Sequence, residues 1–202
     1  MSIKMRKKDK ITYNLLGGKM FYLELKRVYI REFSLMDVYD VFEYSSNKNV
    51  GPNAGWPVHK NIEETKAVLV SLINKKETFA IVNKINNKVI GSIGVYKDEK
   101  RNNPYGCMIG YVLNESYWGK GIMSEVLSGF MYYLFNNTNI ALLSIYHFPN
   151  NFRSKRVIEK SGFKYEGVLR KATLLFDGTI QDNVCYSLTK EEYLKDKQFL
   201  NS

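Results

Sequence analysis

The stretch "IGYVLNESYWGKGIMSEVLSGF", Ile109 to Phe130, is where a strand hands over to a helix. Ile109 to Leu113 is apolar and strand-like. From Ile122 onward, Ile122, Val126, Phe130 and Leu134 recur at helical spacing, with Leu127 and Met131 beside them. That pattern predicts a helix with a broad apolar face. Gly119-Lys120-Gly121 stands between the two. A helix N-terminus offers unpaired N–H groups and the positive end of the helix dipole, which together suit a phosphate. Two glycines remove two β-carbons, so the backbone can curl round an anion, and Lys120 adds a positive charge. A pyrophosphate cradle is one reading. A tight turn that merely needs positive φ is the other, and the glycines alone weigh equally for both.

Outward from this turn the chain alternates strands and helices. Upstream, "FYLELKRVYIREF" from Phe21 alternates as one strand, and Ser34 with Asp37 forms a variant capping box for the helix that follows. "VGPNAGWPVHK" is a loop, after which Asn61 caps a helix whose apolar stripe is Ile62, Thr65, Leu69, Leu72 and Ile73. "TFAIVNK" and "KVIGSIGVYK" form a hairpin, and "GCMIGYVL" is the strand that leads into the glycine turn. Downstream, "IALLSIYHF" is a strand and "NNFRSKRVIEKSGF" a compact helix closed by Gly162 and Phe163. Two strands then flank Asp177-Gly178, and Thr189 caps a last helix. This order predicts one α+β domain, an α/β sandwich with a single mixed sheet. The expected organisation is a basic, flexible arm over 1–20, a domain over 21–196 and a short tail over 197–202.

The formal net charge is +10 over 202 residues, and the first ten residues place Lys4, Arg6, Lys7, Lys8 and Lys10 against Asp9. A basic arm favours anionic partners, although a solvated arm without a partner is equally ordinary. Cys107 and Cys185 lack CxxC spacing, so free thiols in a reducing cytoplasm are expected. Two histidines, His59 and His147, without an HExxH or Cys/His cluster leave a metal site almost no material. No apolar stretch approaches the ~20 residues that span a bilayer, and the basic N-terminus lacks an apolar h-region, so neither a membrane span nor a signal peptide is expected.

Phosphate motifs discriminate further. A Walker A loop needs GxxxxGK[ST], which is absent. A dinucleotide fingerprint matches Gly119 and Gly121 but has Ser124 at the third glycine, and "NIALLSIYH" offers no acidic partner. The pattern that fits better is Q/R-x-x-G-x-G/A, read here as Trp118-Gly119-Lys120-Gly121-Ile122-Met123, with Gly121 matching and both ends departing. A second block, "NNFRSKRVIEKSGFKYEGVLR", carries Asn151, Ser154, Gly162, Phe163, Glu166 and Gly167 in the order N-x-x-S-x-x-x-x-x-x-x-G-F-x-x-E-G. Together, from about Leu23 to Leu188, the chain resembles the Gcn5-related N-acetyltransferase (GNAT) superfamily, within it most the ribosomal-protein-alanine N-acetyltransferases. "YWGKG" is the usual form of the turn in that subgroup. Met123 departs from the pattern's small residue and is harmless if only its N–H faces the ligand.

The resemblance implies a mixed, mostly antiparallel sheet of about seven strands flanked by helices and splayed between the fourth and fifth. It implies acetyl-CoA as cosubstrate, with no metal. Tyr111, Val112 and Leu113 would bind the pantetheine arm through their backbones, the amides of Gly119, Lys120, Gly121, Ile122 and Met123 would hold the pyrophosphate, and Trp118 would also belong to the cofactor-binding residues. Asn151 would bind the pantetheine amides, or cap its helix. Ser154 would assist the departing thiolate and contact the cofactor. Glu166 is a candidate catalytic carboxylate, with Asp98, Glu115 and Asp182 as alternatives, because the family's base falls near Thr173. Trp56 and His59 would wall the acceptor pocket. The acceptor is a primary amine, either a protein N-terminus or a small molecule. Ribosome association through the basic arm and a monomeric or homodimeric state are further expectations. Two rival readings remain: a non-catalytic acyl-CoA-binding module, and a ribosome- or RNA-associated protein.

Overall fold

The computed structural model describes Thr12, Tyr13 and residues 19–199, with side chains for 21–195. The expected arm over 1–20 therefore lies mostly outside the described residues, and of the expected tail over 197–202 the backbone is described to Phe199, as the end of the last helix. Within the arm, β1 (Thr12–Tyr13) and β2 (Lys19–Met20) form a two-rung antiparallel ladder.

The main sheet has eight strands in the order β3-β4-β5-β6-β7-β8-β10-β9. The strands are β3 (Tyr22–Glu24), β4 (Val28–Glu32), β5 (Thr78–Asn83), β6 (Val89–Lys97), β7 (Gly106–Leu113), β8 (Leu142–His147), β9 (Lys164–Leu174) and β10 (Ile180–Thr189). One expectation is corrected here. The stretch from Phe21 to Phe33 is not one strand but a hairpin, pairing Tyr22 with Arg31 and Glu24 with Tyr29. Leu25 N–H closes the reversal on the Val28 carbonyl at 2.9 Å. The chain turns because Leu25 leaves the ladder to pack on α3, where a β-carbon on Gly129 would come within 2.3 Å of it. This hairpin raises the strand count from about seven to eight.

Five helices flank the sheet: α1 (Val38–Ser45), α2 (Ile62–Lys75), α3 (Ile122–Asn137), α4 (Phe152–Lys160) and α5 (Lys190–Phe199). Their starts follow the sequence signals. Ser34 and Asp37 complete a reciprocal capping box on the 3-10 turn before α1. Asn61 Oδ1 accepts from Glu64 N–H at 2.8 Å, a cap contributing ~1 kcal/mol. Thr189 and Glu192 exchange bonds at the start of α5.

Alternation along the central strands feeds two cores. In β5, Phe79 and Ile81 face the α3 side with Phe130, Leu127 and Ile158, whereas Ala80 and Val82 face the α1–α2 side with Val41, Tyr44 and Leu69. Each fully buried large apolar side chain contributes ~1.5–3 kcal/mol, so α3, with eight buried residues, is the main anchor of its face.

The splay lies between β7 and β8. The two are parallel and pair only at Gly106, Cys107 and Met108 against Leu142, Leu143 and Ser144. Beyond Met108 each strand stays bonded on its outer side only. Ile109 to Leu113 continue along β6, and Ile145 to His147 along β10.

Candidate active site

The splay opens into a cleft of about 1340 Å³. Its walls come from β7, the glycine turn, the first turn of α3, β8, the start of α4 and the loop that carries Trp56.

The exposed edge of β7 is set by parity. Cys107 O accepts from Ser144 on the β8 side, and Leu113 O accepts the Trp118 indole N–H at 2.8 Å. Tyr111 has the same parity, so its N–H and C=O also turn away from β6 and into the opening. Val112 has the opposite parity and spends its main chain on the ladder with Ser92. Of the three expected backbone contacts, the open edge therefore offers Tyr111 and the N–H of Leu113. Val112 contributes its side chain to the cleft wall.

Gly119 and Gly121 both have left-handed φ, +73° and +71°. Gly121 is the N-cap of α3 and places no side chain on the first-turn amides. A β-carbon at Gly119 would meet nothing within 4 Å, and one at Gly121 only Arg27 Nη2 at 3.7 Å. Open space combined with positive φ is what an anion cradle requires, so this donor set fits a phosphate. Met123 is buried among the apolar side chains of α3 and also borders the cleft.

Arg27 is a residue that sequence reading missed. It reaches from the β3–β4 turn, donating from Nη1 to Lys120 O at 2.6 Å and from Nε to Glu125 Oε2 at 2.6 Å. It thus ties the first hairpin to the glycine turn. The only signal was a charged pair, Lys26-Arg27, inside an otherwise alternating strand. Lys120 donates to Ser116 O at 2.8 Å and lies over the Tyr117 ring. Arg153 stacks on Trp118 at 4.6 Å, and Arg156 and Lys160 also line the cleft, so the α4 side is cationic.

Asn151 caps α4, with Oδ1 accepting from Ser154 N–H at 3.1 Å. Its Nδ2 donates to Asn53 O of the acceptor-side loop at 3.2 Å. Ser154 Oγ lies 3.0 Å from Tyr111 Oη. Burial pushes the Tyr111 phenol up to about 12, despite the Ser154 bond. Trp56 and His59 both line the cleft, with ring centroids 5.3 Å apart. His59 Nδ1 meets Thr65 Oγ1 at 2.8 Å, and burial lowers its pKa while Glu64 raises it in part.

The candidate carboxylates are elsewhere. Glu166 lies off the cleft wall, paired with Arg101 and accepting from Ser187 Oγ at 2.8 Å. The edge strand β9 turns it toward the loop after β6, so the structure does not bring it to the site. Asp98 is 2 % exposed and accepts from Ser144 Oγ and Tyr146 Oη, each at 2.6 Å. Burial raises its pKa, but those bonds, Lys100 N–H and Arg101 together hold it below the usual range. Glu115 is clamped by Asn47 and Asn49, and Asp182 accepts from Lys171 N–H. Thr173 lines the cleft, bonded to Asn183. Among the described residues, no group of three or more His, Cys, Asp or Glu side chains is placed to hold a metal ion.

The description "Acetyltransferase (GNAT) domain" matches residues 27–164, more than half of the chain. The chain belongs to the GNAT acetyltransferase family. As a GNAT enzyme it is an acetyl-CoA-dependent N-acetyltransferase, and the α+β sheet is the family fold. It is 28% identical over 172 residues to the uncharacterised N-acetyltransferase YnaD of Bacillus subtilis, covering 85% of this chain and 99% of that protein. It is 28% identical over 115 residues to the ribosomal protein uS5-alanine N-acetyltransferase of Escherichia coli, covering 57% of this chain and 58% of that protein. The crystal structure of a GNAT-family acetyltransferase from Bacillus anthracis superposes with a TM-score of 0.76 at 24% identity, covering 85% of this chain and 99% of that one. The subgroup resemblance noted in the sequence thus has a counterpart in the uS5 enzyme. No described helix of this GNAT enzyme is long and apolar enough to cross a membrane.

Proposed function

We propose that this GNAT enzyme transfers the acetyl group of acetyl-CoA to the α-amine of a protein N-terminus. The observation that carries the reading is the opening of β7 from β8 directly beside the left-handed glycine turn. A pantetheine arm would complete the sheet there as an extra strand does, bonding to Tyr111 and Leu113. The amides of Gly119 to Met123 would take the pyrophosphate, with the α4 cations balancing its charge. Asn151 would reach the pantetheine amides with the second N–H of Nδ2 and the free lone pair of Oδ1, while its first N–H stays on the Asn53 carbonyl.

The amine attacks the thioester carbonyl and charge builds on the departing sulfur. Ser154 Oγ–H would donate a hydrogen bond to that sulfur, and the buried Tyr111 phenol, held neutral, would orient Ser154. Trp56 and His59 would wall the acceptor side. The cleft exceeds the ~300–1,000 Å³ usual for one small ligand, which suits two cosubstrates meeting in one space. The relation to the uS5-alanine enzyme supports a protein acceptor over a small amine. The basic arm, Met1 to Lys10, would add attraction to an anionic partner such as the ribosome, and the two free cysteines suit a reducing cytoplasm.

CoA release with the full chain tests this, using an alanine-ended peptide, the same peptide with its N-terminus blocked, and a panel of small amines. The free α-amine peptide should turn over and the blocked one should not. Turnover confined to small amines would overturn the acceptor assignment. Ser154→Ala should lower the transfer rate while leaving CoA affinity near that of the parent. A loss of affinity at unchanged rate would make Ser154 a binding residue only.

A further inference from the structure

The cations that border the cleft fall on two sides of the sheet. Arg153, Arg156 and Lys160 belong to α4, which packs through Ile158 on the α3 face, beside the glycine turn. Lys100 also borders the cleft, but from the other side.

Lys100 lies on the loop that joins β6 to β7, where its N–H donates to Asp98 Oδ1 at 3.0 Å. Its Nζ stands over the Tyr146 ring, 4.7 Å from the centroid. Ile145 packs in the core under α3, so Tyr146, the next residue of β8, faces the α1–α2 side, where Trp56 packs. Burial and the bond to Asp98 push the Tyr146 phenol up to about 12, so it stays neutral and offers Lys100 a ring face without a counter-charge. The nearby carboxylates have other partners. Asp98 and Glu166 pair with Arg101, and Glu99 pairs with Lys97 at 3.8 Å. Among the described residues, no carboxylate oxygen lies within 4.0 Å of Lys100 Nζ.

The surroundings suit an anion. Among the described residues, Glu64 is the one carboxylate that borders the cleft, and it accepts from Lys60 N–H at 2.7 Å. Tyr146 is in register with Cys185, and Asn183, two residues along β10, shares that face. Asn183 borders the cleft at 4 % exposure. Its Nδ2 donates one N–H to Thr173 Oγ1 at 3.0 Å and has a second to give. An ammonium seated on a ring with no anion beside it, on the same side of the sheet as an amide N–H, is what a carboxylate requires.

We propose that Lys100 is a specificity-determining residue that binds a carboxylate of the acceptor, so that the preferred acceptor carries Asp or Glu directly after its N-terminal residue. The inference rests on the acetyl-transfer reading above and names the acceptor class more closely. The amine enters from the side of Trp56 and His59, and the acidic side chain that follows it pairs with Lys100. A basic residue at that position meets a like charge and is rejected, which makes the site selective in both directions. The formal net charge of +10 draws an acidic partner toward the cleft at longer range.

The test is CoA release by the full chain with three peptides that begin Ala-Asp, Ala-Asn and Ala-Lys and are otherwise identical. Alanine and alanine amide complete the set, because the α-carboxylate of a free amino acid is the other source of the same chemistry. The Ala-Asp peptide should exceed Ala-Asn roughly 5–10-fold in kcat/KM, chiefly through KM, and added salt should shrink the ratio. Lys100→Met keeps an apolar stem over Tyr146 and should bring the two peptides level. Lys100→Glu should reverse the order and favour Ala-Lys. CoA affinity by calorimetry should hold in both variants. Equal turnover of the three peptides by the parent, or a preference that survives Lys100→Met, would overturn the proposal. CoA affinity that falls with the charge would assign Lys100 to the cofactor and overturn it too. Turnover of alanine but of no peptide, lost in Lys100→Met, would uphold the carboxylate site and overturn the protein acceptor. No CoA binding by the parent would overturn the transferase reading beneath both.

Discussion

Burial holds the imidazole of His59 below its ordinary pKa, and Glu64 offsets only part of that. The unfolded chain, at ~6.5, therefore binds the proton more readily than the folded one. The stability this site contributes is complete above ~6.5 and is lost as pH falls through the lower folded value. Thermal unfolding at about pH 7.5 and about pH 5 should show a larger fall in Tm for the parent than for His59→Gln; equal falls would place the sensitivity elsewhere. Gly121 makes a different kind of demand. At φ +71° a β-branched residue is strained by ~1–2 kcal/mol, and its side chain would enter the open side of the turn. Gly121→Val should lower Tm by ~2–8 °C and weaken CoA binding at least ~10-fold by calorimetry, since the space it fills is the space a phosphate needs. Normal CoA binding by that variant would remove the turn from the site. Gly121, Asn151 and Ser154 were legible in the sequence because each sits in a spaced motif. The phenol of Tyr111 was not, since its bond to Ser154 joins β7 to α4, two elements that no local pattern brings together.

The N-terminus of α3 is held by an element distant in sequence. Arg27, on the β3–β4 turn, binds Lys120 O and Glu125 and so fixes the angle at which the turn presents its amides. The Arg27 side chain is 44 % exposed, so the ion pair itself contributes only ~0.2–1 kcal/mol. Arg27→Ala should therefore shift Tm by no more than ~1–4 °C. Its CoA affinity should nevertheless fall several-fold, because the cradle loses its brace. Unchanged affinity by calorimetry would make Arg27 an ordinary surface cation. The helices were legible from caps and periodicity, as Asn61, Gly162 and Thr189 illustrate. The β3–β4 reversal was not, because Lys26-Arg27 contains no Gly, Pro or Asn to mark a turn. Length was the signal available: thirteen alternating residues from Phe21 to Phe33 far exceed the ~5–6 of a usual strand.

At the scale of the molecule, acetyl-CoA should act as a structural ligand. At a hundred times its dissociation constant it should add ~2.7 kcal/mol, or ~5–11 °C in Tm for a chain of this size. NAD, whose fingerprint the turn fails to match, should shift nothing. A shift with NAD and none with CoA would contradict the family's chemistry. The order of elements made the α+β class legible before any coordinates, but the gap in the sheet was not. The facing runs Ile109–Leu113 and Ile145–His147 read as ordinary strands, and each is ordinary toward its outer neighbour. Their separation is a matter of register between distant segments, which no local pattern encodes. Within the sheet ladder only three parallel rungs join one half to the other, and this has a consequence in time. A bound pantetheine arm would be the seam that joins the halves, so the surface that receives the amine is complete only after acetyl-CoA has arrived. Turnover should then be sequential and ordered, with acetyl-CoA first on and CoA last off. CoA should inhibit competitively against acetyl-CoA and non-competitively against the peptide.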